Sequence, residues 1–273
     1  MTYFFETYGC QMNAAESAAV EQLLIARGWT KADSAQVADL AVINTCSVRE
    51  TAENRIFGRL GWYAGLKALR AGEAGAKSRS LEQAAEYVKD GAKPLTLVVM
   101  GCMAERLLNS LKADYPCVDY VVGTYAKHRF SEILEAVRDK AAAVALDDTE
   151  QYVFAPLSYE PGAFTAFVPI MHGCDNFCTY CIVPHVRGRE CSRPVAQIIQ
   201  EIDALSSFGV REITLLGQNV NSYRGADENG GAVSFADLLG RIAAHLRETK
   251  SSIGWARFLS SHPKDLSDDV IAV

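Results

Sequence analysis

The 273-residue sequence lacks any apolar run long enough to cross a bilayer. Its start, Met1-Thr2-Tyr3-Phe4-Phe5-Glu6, also lacks a basic segment leading into a hydrophobic stretch. A membrane span needs about 20 consecutive apolar residues and a secretory leader needs a charged-then-apolar pattern. The expectation is therefore a cytoplasmic protein with no membrane partner. Excess positive charge is missing too: 27 Lys and Arg against 33 Asp and Glu leave a net charge of −6. A large nucleic-acid surface ordinarily leaves a basic footprint, so these residues argue mildly against one. No Ser-His-Asp set and no pair of carboxylates stands out as acid-base machinery. With 49% apolar and 22% charged residues, extended disorder is excluded as well.

What the sequence does have is eight cysteines. Without a secretory signal they fit a reducing compartment, where metal ligation or catalysis is expected before disulfides. The stretch that organises the chain is Gly173-Cys174-Asp175-Asn176-Phe177-Cys178-Thr179-Tyr180-Cys181. Three cysteines at Cx3CxxC spacing can hold three irons of a four-iron cubane and leave the fourth iron without a protein ligand. An open metal position invites a substrate or cofactor. The alternatives are a three-cysteine zinc knuckle or a set of buried thiols. Cys174, Cys178 and Cys181 with Tyr180 between them resemble the signature of radical S-adenosylmethionine (SAM) enzymes. In that superfamily SAM chelates the open iron and is cleaved by one electron to a 5′-deoxyadenosyl radical.

The first half reads as repeated βα units. Residues 3–8 form a strand, Gly9-Cys10-Gln11-Met12 a tight turn, and Asn13 with Glu16 a capping-box start to a helix that Gly28 ends. A second strand at 39–44 leads through Thr45-Cys46 to a capping box at Ser47 and Glu50. A third at 95–100 leads through Gly101-Cys102 to a helix over 104–111, and a fourth unit follows from Val118 without a cysteine in its turn. Near-continuous apolar strands alternating with amphipathic helices predict a doubly wound parallel sheet covered on both faces. Every βα turn of such a sheet lies at its carboxyl edge, where ligands bind. Cys10, Cys46 and Cys102 are thereby expected on one rim, as a second three-cysteine metal site, against the alternative of three cysteines acting as small hydrophobes. Cys117, at the start of the fourth strand, reads as a structural thiol. Residues 64–93 read as a surface insertion with a short helix over 81–89 and no catalytic role.

The expected domains are residues 1–145, a linker over 146–163, and a second α/β domain over 164–273. In the last, the strand at 164–171 feeds the Cys174 loop, Arg193-Pro194 opens a helix, and the strand at 212–216 exits through Gly217-Gln218-Asn219-Val220-Asn221. Ser234 caps a further helix, a strand covers 256–260, and Ser267 opens a last helix. This is the start of a βα barrel. Roughly 110 residues cannot close a barrel that typically needs about 250, so the chain reads as truncated.

Together, Tyr8-Gly9-Cys10-Gln11-Met12-Asn13, Asn44-Thr45-Cys46-Ser47-Val48-Arg49-Glu50, Gly101-Cys102-Met103-Ala104-Glu105-Arg106, the run from Gly173 to Glu190, and Gly217-Gln218-Asn219-Val220-Asn221-Ser222-Tyr223 resemble the MiaB-type tRNA methylthiotransferases of the radical SAM superfamily. The resemblance implies two 4Fe–4S clusters and SAM. Cys174, Cys178 and Cys181 would hold the SAM-cleaving cluster, and Cys10, Cys46 and Cys102 an auxiliary cluster whose open iron carries the sulfur to be transferred. It implies methylthiolation at C2 of N6-isopentenyladenosine at tRNA position 37, with no catalytic side chain beyond the cluster ligands. Tyr180, Gln218 and Asn219 are candidate SAM contacts, with turn formation as the alternative for the last two. Arg187, Arg189 and Arg193 are candidate contacts to tRNA phosphates or to the SAM carboxylate, or else solvated loop arginines. Cys191 is read as an incidental thiol, and His172, His185 and His262 as structural. The family continues into the rest of the barrel and an RNA-binding TRAM domain, so tRNA is expected to be held mainly by regions outside these residues. An electron donor such as flavodoxin or ferredoxin is implied, and the chain is expected to act as a monomer. Other readings are a methylthiotransferase for threonylcarbamoyladenosine tRNA or a ribosomal protein, and a non-catalytic iron-sulfur scaffold or electron carrier.

Overall fold

The computed structural model describes residues 1–48, 50–73, 79–86, 88, 93–139 and 152–273. They form two compact units: Met1–Asn13 with Leu23–Gln151, and Ala14–Gln22 with Tyr152–Val273.

The first unit is built on five parallel strands, β1 (Thr2–Thr7), β2 (Thr30–Lys31), β3 (Leu40–Thr45), β4 (Thr96–Gly101) and β5 (Tyr120–Val122), in the order β2-β1-β3-β4-β5. Every residue of β3 is buried, and so are the last five of β4, as expected for strands covered on both faces. On one face Ala41, Ile43, Leu97 and Val99 share a core with Ile56, Leu60 and Tyr63 of α2 (Glu50–Ala71). Each Ile, Leu or Val side chain of this set contributes roughly 1.5–3 kcal/mol on removal from water. Helix α1 (Gln11–Ala26) has its ends in this unit and its middle, Ala14–Gln22, in the second; the other helices here are α3 (Arg79–Ala85), α4 (Cys102–Arg106), α5 (Leu111–Asp114) and α6 (Phe130–Asp139).

Three local expectations are corrected here. Residues 64–71 belong to α2, with Leu66 fully buried, because the apolar stripe of that helix continues past residue 64. The short helix at Leu81 exists as α3, while residues 74–78, 87 and 89–92 lie outside the described residues. The helix expected over 104–111 is two: α4 begins on Cys102 itself and ends at Arg106, and α5 starts only at Leu111. Asn13 does not cap α1 either, since Cys10 holds the N-cap position and the Asn13 side chain is engaged elsewhere. The capping box at Ser47 and Glu50 falls partly on residues outside the description.

The second unit carries a three-stranded parallel sheet, β6 (Thr165–Pro169), β9 (Glu212–Leu216) and β12 (Trp255–Phe258), in the order β12-β9-β6. Val168, Ile213 and Leu215 pack with Ile198, Ile202 and Leu205 of α8 (Val195–Ser207) and with Leu238 and Ile242 of α9 (Phe235–Glu248). Ser234 caps α9 as expected, and it does so within a full capping box with Asp237. Two short antiparallel pairs complete the unit: β7 (Met171–His172) with β8 (Cys191–Ser192), and β10 (Arg224–Ala226) with β11 (Ala232–Ser234). They are accompanied by α7 (Val183–Arg187) and α10 (Asp268–Ala272). From Tyr152 onward the stretch ahead of β6 packs into this unit: Tyr159 stacks on Phe208, and Ser158 donates its backbone N–H to Glu201. No helix among the described residues is long and apolar enough to cross a membrane.

Candidate functional site

In the first unit β1, β3 and β4 are adjacent strands, and Cys10, Cys46 and Cys102 follow their carboxyl ends. The register sets them abreast: Thr7 pairs with Asn44, and Thr45 pairs with Gly101. With the order β2-β1-β3-β4-β5, the chain reverses direction between β1 and β3, and that switch point is where open α/β sheets bind ligands. Cys10 and Cys46 flank it. Hydrogen bonding with Cys10, then burial, pushes the Cys46 thiol well up, with the charges of Cys10 and Cys102 adding in the same direction. Cys46 and Cys102 are buried and Cys10 is exposed.

Side chains with no expected role beside the cysteines lace these turns together. The Asn13 amide donates to the carbonyls of Tyr8 (2.8 Å) and Thr45 (2.7 Å), and the Asn44 amide donates to the Asn13 carbonyl (2.9 Å). The Thr45 hydroxyl donates to the Met100 carbonyl at 2.6 Å and accepts from Ala104 N–H. Gly9 and Gly101 have φ of +117° and +98°. A Cβ on the first would strike the Cys46 side chain, and one on the second would strike Asn44 and the Thr45 backbone. The available clue was spacing: Asn13 is three residues past Cys10, and Asn44-Thr45 immediately precedes Cys46.

In the second unit the Cys174 loop is closed at its base. β7 pairs with β8, the Cys174 N–H donates to the Gly188 carbonyl, and Asp175 and Glu190 exchange side-chain to backbone hydrogen bonds. Gly173, at φ +80°, sits where a Cβ would meet the Arg189 backbone. Within the loop Phe177 takes φ +45°, a left-handed conformation that a bulky residue adopts only when its surroundings impose it. Burial raises the Cys174 thiol, opposed by a backbone hydrogen bond from Asn176, while Glu190, Cys181 and Cys178 add to the rise. The three cysteines share this one loop.

No three His, Cys, Asp or Glu side chains among the described residues are arranged to hold a single metal ion. A cubane asks for something different, since each thiolate binds its own iron and the three sulfurs need not converge on one point. Bound iron would also reverse the upward push on the thiols, because a coordinating thiol is deprotonated outright.

Around this loop the candidate contacts divide. Tyr180 is 88% exposed. Gln218 has a buried side-chain oxygen without a hydrogen-bond partner, as do the side-chain nitrogens of Asn176 and Asn221. A polar cofactor with amino and carboxylate groups fits such unsatisfied atoms, which water or a ligand normally satisfies. Asn219 is committed to the protein: its amide donates to Asp265 at 2.7 Å, and its oxygen accepts the His262 N–H at 3.0 Å. His262, read as structural, lies with Nε2 3.8 Å from the Cys178 sulfur.

The arginine cluster does not form a basic patch. Arg187 is buried in an ion pair with Glu16 at 2.7 Å, and Arg193 is buried against Glu201. Arg189 alone of the three is exposed, beside Asp175. The next-door carboxylates absorb the charge that sequence proximity had assigned to phosphate. Burial raises the Glu201 carboxyl against the opposing pull of Arg193. His172 stacks under Tyr152 at 3.6 Å between ring centres, and His185 meets Phe177 edge-on. Cys117 contacts the Leu60 carbonyl and is raised by burial, in keeping with a structural thiol.

Residues 2–74 match the Uncharacterized protein family UPF0004, and residues 168–251 match the Radical SAM superfamily. The chain is 51% identical, over all of its length, to the tRNA-2-methylthio-N(6)-dimethylallyladenosine synthase of Treponema pallidum subsp. pallidum. In its Radical SAM segment and over its whole length it is similar to the radical SAM methylthiotransferases. The family member from Treponema denticola is 49% identical and that from Dictyoglomus thermophilum 41%, each over 99% of the chain. The chain spans 55–57% of these relatives' length. In fold, the chain is similar to a solved radical S-adenosylmethionine methyltransferase, TsrM from Kitasatospora setae, with cobalamin and a 4Fe-4S cluster bound. The TM-score is 0.60 and the identity 12%, covering 99% of this chain and 58% of the other.

Proposed function

We propose that the chain is the N-terminal and cluster-bearing part of a radical SAM methylthiotransferase. The enzyme adds a methylthio group to C2 of N6-isopentenyladenosine at position 37 of tRNA. The observation that carries the reading is the pair of cysteine trios, one in each unit, in a chain whose relatives bear the name of that synthase.

On this reading Cys174, Cys178 and Cys181 hold one 4Fe–4S cluster, and Cys10, Cys46 and Cys102 hold the other. The cofactors supply one-electron SAM cleavage and a transferable sulfur, the means to replace an aromatic C–H bond that no acid or base side chain could break. The chain's own residues position and shield. Asn13, Asn44 and Thr45 fix the three turns of the first trio, and the β7–β8 pair fixes the loop of the second. Gln218 Oε1 is offered to a SAM donor group, and Tyr180 is available to cover it. Domain limits near 145 and 164 accompany the proposal.

The partners follow as part of it: tRNA, SAM and a small one-electron donor such as flavodoxin or ferredoxin. Because Arg187 and Arg193 are consumed internally and the net charge is −6, tRNA is expected to be gripped mainly by regions outside these residues. Tight, salt-sensitive tRNA binding by this chain in a filter assay would overturn that point.

The deciding measurement is mass spectrometry of hydrolysed tRNA from cells with and without the full-length gene. Loss of the methylthio mark from isopentenyladenosine, with the unmodified base accumulating, is the expected result. Loss from threonylcarbamoyladenosine, or from a ribosomal protein, would reassign the substrate. An iron-sulfur spectrum indifferent to added SAM would leave only a scaffold or electron carrier.

A further inference from the structure

We propose that His262 donates an N–H···S hydrogen bond to the Cys178 thiolate and thereby raises the reduction potential of the cluster held at Cys174, Cys178 and Cys181; the inference rests on the proposed function for that site. Nε2 of His262 lies 3.8 Å from Cys178 Sγ. The other ring nitrogen decides what Nε2 can do. Nδ1 accepts the backbone N–H of Lys264 at 3.3 Å, so it carries a lone pair, and the proton of the neutral ring sits on Nε2. A ring oriented in this way presents a donor, not an acceptor, to the sulfur.

The ring is aimed by a loop that the turn after β9 holds at several points. The Asn219 oxygen accepts His262 N–H, the Asn219 amide donates to Asp265, and Val220 N–H donates to the Ser260 carbonyl. The Ser261 hydroxyl donates to Asn221 at 3.2 Å, and Asp265 N–H closes back on the His262 carbonyl. Ser260 takes φ +71°, a strained conformation for a residue with a Cβ, which persists only where the surroundings over-determine it. So many ties on so short a segment fix one imidazole in place more firmly than a surface loop requires.

The electrostatic consequence is one-sided. An electron delivered by an external one-electron reductant adds one negative charge to the cluster and its thiolates, with no bond formed or broken and no proton moved. A donor dipole pointed at a ligating sulfur stabilises that extra charge, and hydrogen bonds to the sulfurs are among the levers that set cluster potentials. His262 therefore acts through Cys178 as a tuning residue.

The test is a dithionite potentiometric titration of the anaerobically reconstituted chain, following by electron paramagnetic resonance the signal that responds to added SAM. His262→Leu removes the donor, and His262→Gln keeps an amide N–H near the Nε2 position. The expected result is unchanged iron per chain in all three proteins and a lower midpoint for His262→Leu. At fixed potential its oxidised-to-reduced ratio should rise by up to about tenfold, about 59 mV for one electron, with His262→Gln restored most of the way to wild type. A His262→Leu midpoint equal to wild type at full iron content overturns the inference and leaves the site standing. If the Leu variant loses iron, the Gln variant decides: wild-type iron and midpoint support the proposal, and anything else overturns it. If Cys178→Ala retains all its iron and no signal responds to SAM, the proposed site itself fails.

Discussion

The Cys174, Cys178 and Cys181 trio sits in one short loop, whereas the Cys10, Cys46 and Cys102 trio is collected from three turns of a parallel sheet. The first is assembled by chain connectivity and closed by the β7–β8 pair. The second exists only because β1, β3 and β4 are neighbours in register and because Asn13, Asn44 and Thr45 tie their exits together. A local motif resists damage to distant parts of its domain. A site gathered from three turns fails wherever the sheet or its lacing fails.

That contrast breaks most sharply when the ligands are removed. With Cys174, Cys178 and Cys181 all changed to alanine, the iron of the reconstituted chain, about eight atoms for two cubanes, should fall by half and SAM cleavage should cease. The complementary Cys10, Cys46 and Cys102 triple variant should lose the same share of iron and still cleave SAM. Iron analysis and detection of 5′-deoxyadenosine distinguish the two, and full iron in either variant would sink its assignment.

Next in size is the buried ion pair of Arg193 with Glu201. Arg193→Met leaves a carboxylate uncompensated inside the second unit, a loss of about 3–5 kcal/mol. Denaturation followed by tryptophan fluorescence and iron release should show the Cys174 trio failing first and the sheet trio surviving. Simultaneous loss of both would mean that the two units do not stand apart energetically.

Backbone changes sharpen the comparison at lower cost. Gly9→Ala forces a side chain onto φ +117° and against Cys46, a strain of about 1–3 kcal/mol, and should lose iron from the sheet trio with SAM cleavage kept. Gly173→Ala, at φ +80° against the Arg189 backbone, should do the reverse.

The smallest effect expected is acid sensitivity of the sheet. Burial opposes ionisation of Glu6, yet hydrogen bonds from Arg59, Tyr8 and Tyr63 hold its carboxyl below the ordinary 4.5. Its contribution is therefore complete above about pH 4.5 and is lost as pH falls through the lower, folded-state value. The stability gap between wild type and Glu6→Gln in urea, on the order of 1 kcal/mol at pH 7, should narrow as the pH is taken well below 4.5. A gap that widened would contradict the sign.

Much of this is legible in the residues. Apolar strands of the right length predict the parallel sheet, and Ser234 predicts the start of α9, because both signals are local. Asn13 departs from its expected cap role for an instructive reason. Its preference for helix starts is real, but two carbonyls, those of Tyr8 just past β1 and Thr45 at the end of β3, compete for the same amide and win. Arg187 and Arg193 look like exposed cations in the sequence, since nothing in their neighbourhood announces Glu16 or Glu201 as buried partners. His262 gives no local sign of meeting Cys178.

By itself the sequence determined the alternating βα architecture, the spacing of the loop cysteines and the positions of the sheet cysteines at strand ends, because hydrophobic period and turn chemistry act over a few neighbouring residues. Only the tertiary structure decided which strands are adjacent, which polar side chains lace the turns, which arginines are neutralised and which imidazole faces a cysteine. Those outcomes depend on groups far apart along the chain, whose meeting is set by the burial of a whole core and by the pairing of every polar atom caught inside it.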